Sequence, residues 1–145
     1  MTCVPEQTPA SPLLPVFVYG TLRPGEENYP HYLAGRTAAE LPGTVAGKLF
    51  FVVDSGYPYL APGKGRVHGE LMELEPHLYR ATLESLDALE EYHPQDERHS
   101  VYLRRTTHVR LADGSERPAW VYYWNVPTRR GVKITSGDFR QHQGR

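Results

Sequence analysis

The sequence predicts an α+β domain in which a small mixed, mostly antiparallel and barrel-like β-sheet packs beside one main helix. Strand-like segments outnumber helical ones along the 145 residues, and only one stretch has the periodicity and start signal of a long helix. The last two strand-like segments flank Asp113-Gly114, a dipeptide that favours a tight hairpin and hence an antiparallel pair. The regular strand–helix alternation of a doubly wound nucleotide-binding fold is missing.

The first strand is predicted at residues 16–19, because β-branched and aromatic residues fill it and Gly20 ends it. Residues 54–65 are rich in Gly, Pro and Tyr, which indicates a structured loop. In chain order, the other predicted elements are a loop at 20–28, a short helical stretch at 29–34, strands at 44–53 and 66–74, the main helix from 76 to about 92, and strands at 101–111 and 117–125.

Residues 1–14 hold three prolines among small polar residues, so we predict a disordered N-terminal lead-in. A single domain is then expected at 15–140, followed by a polar tail at 141–145. The formal net charge of −1 leaves no field that would attract nucleic acid or a membrane surface. No apolar run approaches the roughly 20 residues of a membrane span, and no secretory signal is recognisable. With one cysteine, Cys3, no intramolecular disulfide can form, and a cytoplasmic location is expected.

The main helix begins at Pro76, a residue suited to a first helical position, and the His93-Pro94 dipeptide marks its end. At about 100° per residue, one side of this helix is apolar and Glu84 and Glu91 point roughly the opposite way. Glu90 lies on the apolar side. The residues that share this side with it are Tyr79, Leu83, Leu86 and Leu89.

A carboxylate on the core side of a helix loses hydration, which raises its pKa towards the range useful for proton transfer near neutral pH. Glu90 is therefore the candidate acid/base, and Asp87 on the flank of the same face is the second acid of interest. On periodicity alone, a frayed helix end or a structural arginine partner is a commoner explanation of such a glutamate than a catalytic role. The seven histidines are dispersed and none sits in a zinc-binding pattern, so we expect no metal and no cofactor.

The loop after the first strand offers a second candidate site. A strand that halts at Gly20 can turn the backbone N–H groups of the next residues, Thr21 and Leu22, outward as a small anion-binding nest. A substrate carboxylate would fit such a nest, although an ordinary strand–loop junction has the same sequence features.

Four segments of the chain resemble the motifs of the γ-glutamyl cyclotransferase-like (AIG2-like) family, which includes the γ-glutamylamine cyclotransferases. They are VFVYGTLRPG at 16–25, VHGEL at 67–71, LDALE at 86–90 with YLR at 102–104, and SGDFR at 136–140, where Phe139 replaces the family's Trp. Their order and spacing agree with the family over roughly residues 15 to 140.

The resemblance implies a barrel-like mixed sheet with a helix beside it, and Glu90 as the catalytic acid/base. It also implies that Tyr19, Gly20, Thr21 and Leu22 hold a γ-glutamyl head group, chiefly through backbone N–H groups. The implied reaction is cyclisation of a small γ-glutamyl substrate to 5-oxoproline with release of an amine. Tyr57 and Tyr123 are expected, on weaker grounds, to line the substrate cavity.

Two other functions use the same residues. A non-catalytic binding module would recognise a γ-glutamyl amide and form no product. A hydrolytic amidase would use Glu90 to activate water and would release glutamate. The leaving amine and the oligomeric state do not follow from the sequence.

Overall fold

The computed structural model describes residues 13–127 and 131–143, in which five strands close a small barrel with one main helix outside it. The strands are β1 (Val16–Val18), β2 (Thr37–Val52), β3 (Tyr57–Leu74), β4 (Tyr102–Leu111), β5 (Glu116–Trp124) and the two-residue β6 (Val132–Lys133). The helices are α1 (Tyr29–Tyr32), α2 (Tyr79–Leu89) and α3 (Phe139–His142), with 3-10 turns at Pro76–Leu78 and Glu97–His99. Nearly all of the predicted lead-in, including Cys3, lies outside the described residues.

The order of strands around the barrel is β1, β3, β2, β4, β5 and back to β1. Four of these pairings are antiparallel, and β5 returns to β1 in parallel, with Val16 opposite Trp120. The β4–β5 hairpin turns at the predicted Asp113-Gly114, where Gly114 has a φ of +88°. The predicted fold class, a mixed and mostly antiparallel barrel with one main helix, is confirmed.

The predicted loop at 54–65 is wrong from Tyr57 onward, because β3 begins there and pairs with β2 along almost its whole length. Only residues 53–56 form the turn between the two strands. The pairing places Tyr59 in one apolar cluster and Leu60 in the other, so both faces of the strand are buried at the start of this segment, whereas residues 62–65 are exposed. Burial on both faces outweighs the weak local preference of such residues for strands.

Alternation along each strand divides the apolar side chains between two cores. Phe17, Leu71 and Val121 contribute to a cluster made of strand residues and two C-terminal anchors, Ile134 and Phe139, which fills the barrel. Their neighbours in sequence face outward, where α2 packs through Leu86 and its partly buried neighbours. This outer core fixes the end of α2 against β1, and the candidate site lies at that end.

Candidate active site

A cavity of about 270 Å³ opens between the loop after β1, the β2–β3 turn and the C-terminal end of α2. Its lining residues are Phe17, Val18, Tyr19, Gly20, Thr21, Leu22, Glu27, Asn28, Ser55, Gly56, Tyr57, Pro58, Leu89, Glu90, Glu91, Val101, Tyr102 and Tyr122. The structure therefore brings together six of the seven predicted site residues, although they come from three distant parts of the chain.

The loop after β1 is held in a compact turn that leaves backbone donors available. Asn28 closes it by donating from its backbone N–H to the Thr21 carbonyl at 2.8 Å and from its side-chain amide to Thr21 Oγ1 at 2.9 Å. Gly20 packs against Pro58 so closely that a Cβ would lie 2.6 Å from the proline Cγ. Among the backbone hydrogen bonds of the described residues, none uses the N–H of Thr21 or Leu22. Two adjacent donors of this kind suit a carboxylate.

Helix α2 ends at Leu89, three residues before the predicted end at residue 92. Tyr92 N–H donates to Asp87 O at 2.9 Å and Glu91 N–H donates to Ala88 O at 3.2 Å, the hydrogen-bond pair of a Schellman motif. The chain reverses at Glu91, whose φ is +53°, and this turn buries Tyr92 beside Leu86. Glu90 is thereby fixed as the C-cap residue, with its N–H donating to Leu86 O at 2.9 Å.

The Glu90 side chain is half-buried and faces the cavity. Within the part of the chain that the structure describes, its carboxylate forms no hydrogen bond or ion pair. Burial raises the pKa of Glu90 to about 8, and the negative end of the α2 dipole acts in the same direction. Glu91, its neighbour, is exposed. The carboxyl group of Glu90 can therefore exchange a proton close to neutral pH.

Tyrosines form much of the remaining wall. Tyr19 O–H donates to the Tyr122 carbonyl at 2.7 Å and accepts from Leu60 N–H at 3.3 Å. Burial, with nearby Glu90 as the second cause, raises the pKa of Tyr19 well above its ordinary value. The phenol therefore stays protonated and keeps the loop residue Tyr19 tied to β5 and β3.

The expectation that Tyr123 lines the cavity is wrong, because successive residues of a strand face opposite sides. Tyr123 packs against the cluster inside the barrel, whereas Tyr122 lines the cavity. Tyr102, on the neighbouring strand, also reaches the cavity and donates to the Pro58 carbonyl at 3.1 Å. The sequence analysis missed Tyr102 and Tyr122. Alternation along β5 shows that Tyr122 and Tyr123 face opposite sides of the strand. The sequence does not settle which of these two sides meets the helix.

Asp87, the second acid of interest, is engaged by two partners. Arg104 Nε donates to its Oδ1 at 2.8 Å and Tyr122 O–H donates to the same oxygen at 2.7 Å. The Arg104 guanidinium in turn stacks on Trp120, 4.4 Å from the ring centroid. Asp87 thus orients Tyr122 and leaves Glu90 as the carboxylate available to a ligand.

Comparison with known proteins identifies the family to which this chain belongs. The model of the family described as gamma-glutamyl cyclotransferase, AIG2-like, matches residues 16–141. The chain belongs to this family. It is 34% identical over 125 residues to the gamma-glutamylcyclotransferase family protein YtfP of Escherichia coli strain K12, covering 86% of this chain and 94% of that one.

Two further relatives extend the comparison. The gamma-L-glutamyl-butirosin B gamma-glutamyl cyclotransferase of Niallia circulans is 34% identical over 112 residues, covering 76% of this chain and 66% of that one. The crystal structure of an AIG2-like protein of Mus musculus has a TM-score of 0.61 at 26% identity, over 80% of this chain and 81% of that one. Both the sequence and the barrel are thus those of the AIG2-like family.

In this AIG2-like chain the motif residues outside the cavity form a buried ionic cluster. Arg23 donates from Nε and Nη2 to the two oxygens of Glu70 at 2.8 and 3.0 Å, and from Nη1 to Asp138 at 2.9 Å. Arg140 lies 3.5 Å from Glu26 and also donates to the backbone of the loop after β1. The motifs at 16–25, 67–71 and 136–140 therefore meet behind the loop after β1 and hold it in place.

The cavity offers a ligand carboxyl, phenol and backbone amide groups. Among residues 13–127 and 131–143, no three His, Cys, Asp or Glu side chains are grouped as metal ligands would be. In the same residues no helix is both long and apolar enough to cross a membrane. The chemistry available to a ligand in this cavity centres on the Glu90 carboxyl group and the backbone N–H groups of the loop after β1.

Proposed function

We propose that this protein is a γ-glutamyl cyclotransferase that converts a γ-glutamyl amide to 5-oxoproline and releases an amine, with Glu90 as the general acid/base. The observation that carries the proposal is the unpartnered Glu90 carboxyl group, which faces the same cavity as the loop after β1 and has a pKa near neutrality. The name of the Niallia circulans relative describes a reaction of the same class on its own substrate.

The loop after β1 is the proposed seat of the γ-glutamyl head group. The N–H groups of Thr21 and Leu22 would donate to the substrate's α-carboxylate. Tyr19, Gly20 and Tyr57 would form the wall along the side chain of the glutamyl unit. With one end anchored there, the α-nitrogen and the γ-carbonyl can approach each other within the enclosed cavity.

The chemistry is an intramolecular acyl transfer. The α-nitrogen attacks the γ-carbonyl carbon, a new C–N bond closes the five-membered ring, and the original amide C–N bond breaks. The α-ammonium group gives up two protons in all and the departing nitrogen gains two, so the reaction consumes no external proton. The reaction is redox-neutral and its two reacting groups are already tethered, so positioning supplies much of the rate.

Glu90 has the proton-transfer role in this scheme. As a carboxylate it would take a proton from the α-ammonium group and so free the lone pair for attack. As a carboxylic acid it would then give a proton to the departing nitrogen. A carboxyl group with a pKa of about 8 suits both steps, because each form is accessible near neutral pH.

The test compares wild type, Glu90→Gln and Glu84→Gln on a panel of γ-glutamyl amines and dipeptides, with 5-oxoproline and glutamate measured by mass spectrometry. Glu84 is the matched control, since it lies exposed on the same helix away from the cavity. We expect 5-oxoproline from wild type and Glu84→Gln, and a rate about 10²- to 10⁴-fold lower for Glu90→Gln.

Other outcomes would reassign the protein. Release of glutamate in place of 5-oxoproline would identify an amidase that uses Glu90 to activate water. Ligand binding without any product, unaffected by Glu90→Gln, would identify a binding module on the same fold.

A further inference from the structure

All the charged side chains that line the cavity are carboxylates. They are Glu27, Glu90 and Glu91, and no lysine, arginine or histidine is among the lining residues that the structure describes. In the whole chain, by contrast, basic and acidic residues are nearly equal in number, 16 against 17. The bias is therefore local to the cavity.

Glu27 and Glu91 are exposed, and among the described residues neither forms an ion pair. Two acids close to them in sequence, both outside the cavity lining, behave differently. Glu26, beside Glu27, lies 3.5 Å from Arg140, and Asp87, one turn before Glu91, is paired with Arg104. Among the described residues, no ion pair therefore compensates the negative charge of these two exposed carboxylates, called the rim carboxylates below.

Glu91 also occupies a backbone position that favours glycine. Its φ of +53° lies in the left-handed region, and the residue after a helix C-cap in a Schellman motif is usually glycine. Apart from the glycines, it is the one residue with positive φ in the described chain. This turn fixes the position of Glu91 directly beside Glu90 at the cavity.

We infer that Glu27 and Glu91 select substrates whose leaving amine carries a second positive charge. The inference rests on the proposed function and deepens it. The γ-glutamyl head group is a zwitterion and gains little net attraction from the rim. A cation on the departing half would be attracted to both carboxylates, whereas a carboxylate there, as in a γ-glutamyl peptide, would be repelled.

Three amides of the glutamate γ-carboxyl group test the inference, because they share chain length and differ in charge. They are the 4-aminobutyl, n-butyl and 3-carboxypropyl amides, whose leaving halves are cationic, neutral and anionic. We expect kcat/KM to fall in that order, with a cation-to-anion ratio of about tenfold or more at low ionic strength. Added salt should reduce the ratio, since both rim carboxylates are exposed.

The variants Glu27→Gln and Glu91→Gln should each lower the cation-to-anion ratio, by up to about fivefold for a partly exposed charge. The double variant should bring the ratio close to one. Glu84→Gln, which removes an exposed charge on the far side of α2, should leave the ratio as in wild type. Circular dichroism of each variant checks that the fold is kept.

Two results would overturn the inference, and they are distinguishable. Equal turnover of the three amides, or a ratio that survives the double variant, would remove the selection while the cyclotransferase function stands. No 5-oxoproline from any of the three would remove the proposed function and the inference together.

Discussion

Glu70 and Glu90 are both glutamates within the family motifs, the first buried and the second half-buried, yet their surroundings are opposite. Glu70 receives two hydrogen bonds from the Arg23 guanidinium, and the two residues are only 8% and 5% exposed. Glu90 faces the cavity with no cation near it, and burial raises its pKa to about 8. Glu70 is thus held as a charged partner, and Glu90 is left with a proton that it can exchange.

The difference shows how one small barrel divides its acidic residues between two tasks. A paired carboxylate strengthens a fixed geometry, since removing either partner leaves a buried charge uncompensated. An unpaired carboxylate destabilises the folded state when it ionises, but it is available to a substrate. The ionic cluster around Glu70 lies behind the loop after β1, so it positions the backbone donors that the proposed mechanism uses opposite Glu90.

The largest expected effect on stability comes from removing the charge of Glu70, the paired carboxylate. Glu70→Gln keeps the shape of the side chain but leaves Asp138 as the one anionic partner of Arg23 in the described chain, and should lower the free energy of unfolding by about 4 kcal/mol. Urea unfolding followed by tryptophan fluorescence measures it. Glu116→Gln is the control, because it removes a carboxylate from the exposed pair with Arg110 and should change little. Equal effects of the two substitutions would show that burial of the Arg23 pair is unimportant.

Replacing the unpaired Glu90 should have the opposite effect on stability: the variant should become more stable than wild type as pH rises. The pKa of Glu90 is raised from 4.5 to about 8 on folding, so the folded state binds an extra proton between these values and loses relative stability as pH rises through them. Glu90→Gln cannot ionise. Its stability relative to wild type should therefore increase between pH 4 and pH 9, by about 3 kcal/mol after allowance for contact with cavity water. A difference that stays constant with pH would mean that Glu90 is already ionised at pH 5.

The unpaired state of Glu90 follows only in part from the sequence. Helical periodicity placed Glu90 on the apolar side of α2, and the structure puts it in the cavity even though the helix ends at Leu89. What periodicity could not supply is whether an arginine pairs with it. Arg104, which follows in the same motif, pairs with Asp87, a contact across 17 residues that no local pattern encodes.

The ionic cluster around Glu70 could not be predicted from local sequence patterns for the same reason. Arg23 meets Glu70 and Asp138 across 47 and 115 residues, and only the closure of the barrel brings them together. Gly69 allows β3 to run against β1, because a Cβ there would lie 2.0 Å from the Val18 carbonyl oxygen. The strand segment at 57–61 was missed because the glycines and prolines around it predict a loop, whereas pairing with β2 decides its conformation.

Enzyme kinetics should follow the unpaired carboxyl group as well. If Glu90 must be ionised to accept the proton of the α-ammonium group, kcat/KM should fall about tenfold per pH unit below its pKa of about 8. The measurement is kcat/KM from pH 5.5 to 8.5 with the preferred amide, in a range where circular dichroism shows the protein folded. An acidic limb that begins only near pH 4 to 5 would place the essential base elsewhere.

The smallest expected effect concerns Glu91, whose left-handed backbone conformation destabilises the folded state slightly. Glu91→Gly should raise the free energy of unfolding by about 0.5 to 1 kcal/mol, since glycine adopts a φ of +53° without the Cβ penalty. Glu91→Ala removes the same charge but keeps a Cβ, so it should gain none of this stability. Both should lower the cation-to-anion ratio of the amide substrates equally. If stability rises with glycine alone while selectivity falls with both, the strain and the charge at the rim are separable, and the strain is the cost of placing a carboxylate there.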